Sequence, residues 1–354
     1  MSSMDDWWRE LPMPDRQAAA AAGERQAQLT KPPGSLGRLE QLAIRLAAQQ
    51  ARSRPAVERV QVAVFAADHG VCAEGVSAFP QAVTVQMLQN FAHGGAAISV
   101  LARDLGANLE VINLGTVEAC ATRSVIRDES IGAGTGNIAQ EPAMSEAQLR
   151  RAMASGRAAA DRAAANGAEL FIGGEMGIGN TTTAAAVACA LLDAEPETLI
   201  GRGTGVDDAG LERKLAAVRR ALLRHGETRE PLAVLASLGG FEIAALAGAM
   251  LGCARHRLPV LVDGFIVSAA ALAALRLQPA LADWLHFSHR SDEAGHGRLL
   301  QALNAEPLLD LGMRLGEGSG AAVALPLLRA ACVLHNSMAT FAEAGVADGD
   351  TPDH

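Results

Sequence analysis

The chain has 354 residues, of which 49% are hydrophobic and 19% charged, with a formal net charge of −9. That is enough apolar material for one large α/β domain, or one large and one small, and it excludes a disordered chain. Scattered Lys and Arg, aromatics at 3% and no Tyr exclude a basic, base-stacking nucleic-acid platform.

The five cysteines, Cys72, Cys120, Cys189, Cys253 and Cys332, are odd in number, far apart and form no CxxC. Each reads as a small core residue of a reduced, intracellular protein. The acidic start, MSSMDDWWRELP, lacks the apolar stretch of a signal peptide. The longest apolar stretches are interrupted by Glu242, Arg255 and Asp263, so no membrane span is expected. The expected location is the cytoplasm.

In chain order, residues 5–29 have the composition of an amphipathic helix. The break Lys31-Pro32-Pro33-Gly34 follows, and helical spacing of Leu39, Leu42, Ala43 and Leu46 resumes over 36–52. The run VQVAVFAA, 60–67, reads as a buried strand. Similar runs recur at 109–114, 170–173 and 258–262, with a weaker one at 284–288. Helices are expected between them at 82–105, 145–166, 181–193, 207–225, 241–256 and 265–275, and an almost uncharged one at 321–335. Ser145 and Gln148 form a capping box, acidic Asp207 and Asp208 suit a helix start, and Gly226 suits a helix end. Near-continuous apolar strands alternating with helices predict a doubly wound parallel sheet covered on both faces. The N-terminal helices, 1–55, and the last helix, 321–345, are expected to form a small helical domain beside a large α/β domain, 56–320. Residues 346–354 read as a disordered tail.

Polar and glycine clusters fall just after the strands: Asp68-His69-Gly70, the turn 173–182, Asp263-Gly264 and Ser288-His289-Arg290-Ser291. In open α/β sheets such positions gather at the rim where ligands bind. The turn GGEMGIGNTT, 173–182, offers backbone N–H groups at a helix start, suited to phosphate. It has no P-loop lysine, and Glu175 lies inside it, unlike a dinucleotide fingerprint. Gly201-Arg202-Gly203-Thr204-Gly205 is a second glycine loop, followed by Lys214, one of two lysines in the chain. A phosphate contact and a plain surface lysine are both open at this point. In MRLGEGSG, 313–320, Glu317 is a carboxylate between glycines ahead of an apolar helix. It is either a solvated loop charge or a base kept from water. His286, His289, Asp292 and His296 have no supporting acidic or Cys cluster, so no metal site is expected.

Six stretches in register resemble one family, the nicotinate-nucleotide–dimethylbenzimidazole phosphoribosyltransferases of cobalamin nucleotide-loop assembly. They are KPPGSLGRLE (31–40), ADHGVCAEGVSAFP (67–80), GGEMGIGNTTTAAA (173–186), LGGFEIAALAGAMLG (238–252), PVLVDGFIVSAAALAA (259–274) and MRLGEGSGAAVALP (313–326). The resemblance implies a Rossmann-like fold, a homodimer and neither metal nor redox cofactor. It implies transfer of phosphoribosyl from nicotinate mononucleotide to a benzimidazole, giving α-ribazole 5′-phosphate with inversion at the anomeric carbon. It makes Glu317 the general base and Glu175 a supporting carboxylate. Gly177, Lys214, Ser291 and Arg314 become phosphoribosyl and phosphate contacts, joined by Asn180, Thr181 and Gly203 of the glycine loops. Asp263 and Gly264 fall near the nucleotide, with Leu315 and Gly316 beside the base. Phe79, Pro80, Gln86 and Met87 would line the benzimidazole slot. A non-catalytic nucleotide-binding relative of the same fold is the alternative, and a Rossmann dehydrogenase a third. A binding relative would have no need of the two glutamates. A dehydrogenase would need a full fingerprint without Glu175 in its turn.

Overall fold

The computed structural model describes residues 7–120, 125–203 and 205–347. Its centre is a six-stranded sheet of order β3-β2-β1-β4-β5-β6, parallel throughout. The strands are β1 (Val60–Ala67), β2 (Asn108–Gly115), β3 (Ile126–Asp128), β4 (Leu170–Met176), β5 (Val260–Val262) and β6 (Leu285–Phe287). A short parallel pair, β7 (His289–Arg290) and β8 (Leu309–Asp310), lies apart from it. The order reverses between β1 and β4, which is the switch point where doubly wound sheets open a crevice.

Strand periodicity divides β1 between two cores. Val62, Val64 and Ala66 face one side, whereas Ala63, Phe65 and Ala67 face the other, and all eight residues of β1 are buried. This is why the strand reads as one apolar run rather than an alternating one. One face carries α5 (Glu146–Ala165), α6 (Asn180–Leu192), α7 (Asp208–His225), α8 (Pro231–Leu238), α9 (Phe241–Arg255) and α10 (Phe265–Leu277). The other is covered by α3 (Ala82–His93), α4 (Ala97–Asp104) and the first half of α12 (Ser319–Ser337). Small α11 (His296–Ala302) and α13 (Phe341–Ala344) complete the helices.

The chain ends meet. Helix α1 (Arg16–Gln28) and α2 (Arg38–Gln50) pack together, and α2 packs on α12. The Arg25 guanidinium donates to the carbonyls of His335, Asn336 and Met338 at the end of α12.

Expected strands and helices largely coincide with these elements, and the departures have local causes. The first helix begins at Arg16, not near residue 5, because Pro12 and Pro14 precede it and Asp15 caps it by accepting the Ala18 N–H at 2.8 Å. The helix expected over 82–105 is two helices. Gly94, at φ 81°, ends α3 in the left-handed region, and α4 starts afresh after Ala96. Strand β3 shows one buried residue in three, too little pattern to read. The expected tail lies outside the described residues from 348 onward. No helix among the described residues is long and apolar enough to cross a membrane.

Candidate active site

Strands β1, β4, β5 and β6 all end at one rim. Asp68, Gly177, Asp263 and Ser288 are the residues that follow them. The loop 316–318 closes over this rim. Gly316, Glu317 and Gly318 all have positive φ, at 88°, 64° and 85°. For glycine this is free, but for Glu317 it costs on the order of 1 kcal/mol. The loop backbone lies directly on β4: a Cβ at Gly174 would stand 2.2 Å from the Glu317 carbonyl oxygen. Asp263 ties the loop down, accepting the Gly318 N–H at 3.2 Å and the Ala321 N–H at 2.8 Å from the first turn of α12. Burial pushes the Asp263 carboxyl up, and His289 opposes that shift.

The result is a cleft of about 470 Å³ into which two buried carboxylates reach. Glu317 is fixed by the N-terminus of α4, where it accepts the Ile98 N–H at 3.2 Å. Its pKa is raised, first by burial and then by Asp263, against the opposing effect of the α4 N–H groups. Glu175 is pushed up to about 8, by burial foremost, then by the negative charges of Glu242 and Asp263. The Asn180 side-chain amide and the Glu317 N–H both donate to it. Gly316 must lack a side chain here, since its Cβ would stand 2.3 Å from Glu175 Oε1.

Part of the cleft lining is rich in donors. Gly177, Asn180 and Thr181 line it from the β4–α6 turn, and Gly203, Ser291 and Arg314 line it from loops. Lys214 does not line it. The lysine is buried to 1% exposure, with Nζ donating to Thr181 Oγ1 at 3.0 Å and the Gly201 carbonyl at 2.9 Å. Burial drops its pKa to about 8, with Glu293 opposing. Glu293 accepts the Gly203 N–H at 3.2 Å and lines the cleft, as does His289. Glu293 was not expected from sequence, whereas His289 belongs to the 288–291 cluster expected at the rim, without a role of its own. Arg314 donates to the Gly203 carbonyl at 3.2 Å, joining the two glycine loops. Gly264, Leu315 and Gly316 also line the cleft.

The lining also has an apolar part, with Phe79, Val83 and Met87 from α3 and the loop ahead of it and Phe265, Ile266 and Val267 from the start of α10. Of the expected slot residues, Phe79 and Met87 are in the wall. Pro80 and Gln86 are not: both are exposed, and Gln86 is carried by α3 one position before Met87, off the inward face. Val83 stands one helical turn before Met87, a spacing that could have flagged it. The remaining histidines of the expected cluster are hydrogen-bonded in the interior. His286 Nε2 meets Gln49 Oε1 at 2.8 Å, and His296 accepts the Ser291 N–H at 2.7 Å. Burial drops the His296 pKa to about 3.

A doubly wound sheet with a strained carboxylate loop over its switch point, and a cleft lined by both donors and apolar side chains, fits a small-molecule transferase-type site. Comparison with known proteins is specific. The family model described as "Phosphoribosyltransferase" matches residues 11–346. A nicotinate-nucleotide–dimethylbenzimidazole phosphoribosyltransferase of Azotobacter vinelandii is 62% identical over 346 residues, covering 97% of this chain and 98% of its own. The enzyme of that name from Pseudomonas aeruginosa is 59% identical over 344 residues, with 97% and 98% covered. The crystal structure of the corresponding Thermus thermophilus protein is 48% identical and superimposes with a TM-score of 0.90, covering 95% of this chain and 100% of that one. The chain belongs to the nicotinate-nucleotide–dimethylbenzimidazole phosphoribosyltransferase family.

Proposed function

We propose that this protein transfers phosphoribosyl from nicotinate mononucleotide to 5,6-dimethylbenzimidazole or a related lower base, in cobalamin biosynthesis. The observation that carries the reading is Glu317. It is a carboxylate held out of water in a strained loop, lining a cleft that offers both hydrogen-bond donors and apolar side chains.

The nucleotide occupies the donor-rich part, its phosphate near the glycine loops of Gly177 and Gly203, with Ser291, Arg314 and Lys214 contributing. The flat base enters between Phe79, Met87 and the facing apolar wall. Nicotinate leaves from a pyridinium: the C1′–N bond breaks, its electron pair returns to the ring nitrogen, and no general acid is needed. Positive charge develops on the ribose, and the buried carboxylate of Glu175 offsets it. The benzimidazole lone-pair nitrogen attacks C1′ from the opposite face, giving inversion and the α-nucleotide. Its second nitrogen becomes acidic as the new bond forms, and Glu317 takes that proton. Glu317 later returns the proton to solvent. The products are α-ribazole 5′-phosphate and nicotinate.

We also propose that α1, α2 and the end of α12 act as a helical subdomain, supported by the Arg25 contacts. A homodimer is proposed on the family resemblance, and sedimentation analysis tests it. The function itself is tested by incubating the protein with nicotinate mononucleotide and 5,6-dimethylbenzimidazole and reading the products by mass. A mass matching α-ribazole 5′-phosphate is expected. Its absence with every benzimidazole tried overturns the reading.

A further inference from the structure

The Asp68-His69-Gly70 segment at the end of β1 takes no part in the steps above, yet His69 is one of the most enclosed polar residues in the chain. Its side chain and that of Glu242 are both fully buried, and His69 Nε2 lies 2.8 Å from Glu242 Oε1. With Glu242 as the carboxylate, Nε2–H is the donor. Glu242 comes from the first turn of α9, and its second oxygen has no hydrogen-bond partner among the described residues. An ionisable pair without access to water is costly unless it is well bonded. Its position identifies what it does.

The ring is clamped between backbone segments. A Cβ at Gly177 would stand 3.1 Å from His69 Nε2, and one at Gly240 would stand 2.4 Å from Cε1. On the other side, Nδ1 lies 3.5 Å from Thr183 Oγ1, which itself donates to the Asn180 carbonyl at 2.9 Å. The imidazole therefore touches both ends of the turn joining β4 to α6. That turn supplies Gly177, Asn180 and Thr181 to the cleft. Its other neighbours are not free to move. The His69 carbonyl accepts the Gln81 amide at 2.8 Å, and Gly70 N–H donates to Thr135 at 3.0 Å.

We propose that His69 and Glu242 are positioning residues for the nucleotide end of the site, holding the Gly177–Asn180 turn in its ligand-binding form through the Nε2–H to Oε1 bond. The ring acts as a spacer between α9 and the turn. The bond to Glu242 fixes its orientation, and hence where the turn's N–H groups point. Among the described residues the ring itself makes no hydrogen bond to α3 or α10, although the turn meets α3 where the Ile178 N–H donates to Thr84 Oγ1 at 3.2 Å, so the benzimidazole wall should respond less than the turn. The inference rests on the transferase reading, because it assigns the turn to the nucleotide.

The test compares His69→Ala, His69→Asn and His69→Gln. The Gln amide can reach Glu242 and donate as Nε2–H does, whereas the shorter Asn cannot. Steady-state constants for both substrates, calorimetric binding of nicotinate mononucleotide and thermal melts are measured for each. The Ala and Asn variants are expected to raise the nucleotide KM and Kd about tenfold or more, the loss of one charge-assisted hydrogen bond. Their benzimidazole KM should stay within about twofold, and Gln should restore most of the nucleotide affinity. Should the short variants fail to fold, Glu242→Gln and Glu242→Leu repeat the contrast from the other side of the bond. Parallel changes for both substrates, or no advantage of the reaching variant over the short one, overturn the inference while wild-type turnover leaves the function standing. A wild-type protein that neither binds the nucleotide nor forms product removes both.

Discussion

The Glu317 carboxylate accepts the backbone N–H of Ile98 at 3.2 Å, so the residue assigned as base also caps the first turn of α4. That bond fixes the rotamer of a side chain whose backbone is already held at φ 64° between two glycines. A carboxylate held this way by backbone N–H groups can still take a proton. If it is the base, Glu317 is preorganised from both its backbone and its tip.

Glu317→Gln keeps the acceptor for Ile98 and loses the proton acceptor. Turnover should fall by about 10² to 10⁴, the usual range for a lost general base. Melting temperature and nucleotide KM should hardly change. In the wild type, activity should fall on the acid side as Glu317 is protonated, and that limb should lie above the ordinary Glu value because burial raises this carboxyl. Benzimidazoles of different basicity separate this limb from protonation of the substrate itself. If the Gln variant retains near wild-type turnover, another group is the base, and Glu175 is the first to examine.

Lys214→Ala should raise the KM for nicotinate mononucleotide about tenfold or more and lower turnover less, since a cation near the phosphate holds ground and transition states alike. Burial places the lysine near 8, so the ammonium is lost as pH rises through that value. Nucleotide kcat/KM should therefore decline on the alkaline side in the wild type and lose that component in the variant. An unchanged nucleotide KM would confine Lys214 to holding Thr181 and the Gly201 carbonyl.

Much of this arrangement was legible in the residues. Apolar runs at 60–67 and 170–173, each followed by polar or glycine residues, located two strands and the rim beside them. Gly174 and Gly316 could be seen as part of glycine turns, but not as backbone crossing over β4 or facing Glu175. Those are long-range contacts with no local pattern. Glu293 was missed because it enters the cleft from the connection after β7, where no periodicity marks direction, and His289, though in a cluster placed at the rim, was given no role. The split of 82–105 into two helices was written in Gly94-Gly95, yet its purpose was not. Only the fold shows that the new N-terminus is aimed at Glu317. Lys214 looked more suited to a surface because helical spacing says nothing about what an adjacent loop covers.

Phe79 is half-exposed in the apolar part of the cleft lining, on the loop ahead of α3. Phe79→Ala widens the entrance and removes apolar contact with a flat base. Dimethylbenzimidazole should lose ground to bulkier bases by about 1–3 kcal/mol in relative kcat/KM, the usual scale of small pocket changes. Competition between pairs of bases in one reaction, read by product mass, gives the ratio directly. An identical ranking in the variant would place Phe79 outside the slot.

Glu175 carries the last prediction, because its raised pKa has a thermodynamic sign. Its carboxyl sits near 8 in the folded protein, through burial first and the charges of Glu242 and Asp263 next. In the unfolded chain it returns to the ordinary value near 4.5. The folded state thus holds the proton more tightly. The stabilisation this provides is fully present below about 4.5 and is lost as pH rises toward 8. Glu175→Gln removes that slope. The melting temperature of the variant relative to wild type should rise steadily between about pH 5 and about pH 8, because over this range the wild-type unfolded chain gives up a proton that its folded state keeps. Turnover should fall, because the neutral amide no longer offsets charge on the ribose. Nicotinate mononucleotide brings a pyridinium cation beside Glu175, which favours the ionised carboxylate. Binding near neutral pH should therefore release a proton in the wild type and not in the variant. Calorimetry in buffers of different ionisation enthalpy measures that proton. Equal proton release by wild type and Glu175→Gln would assign it to another group and remove Glu175 from the charge-stabilising role.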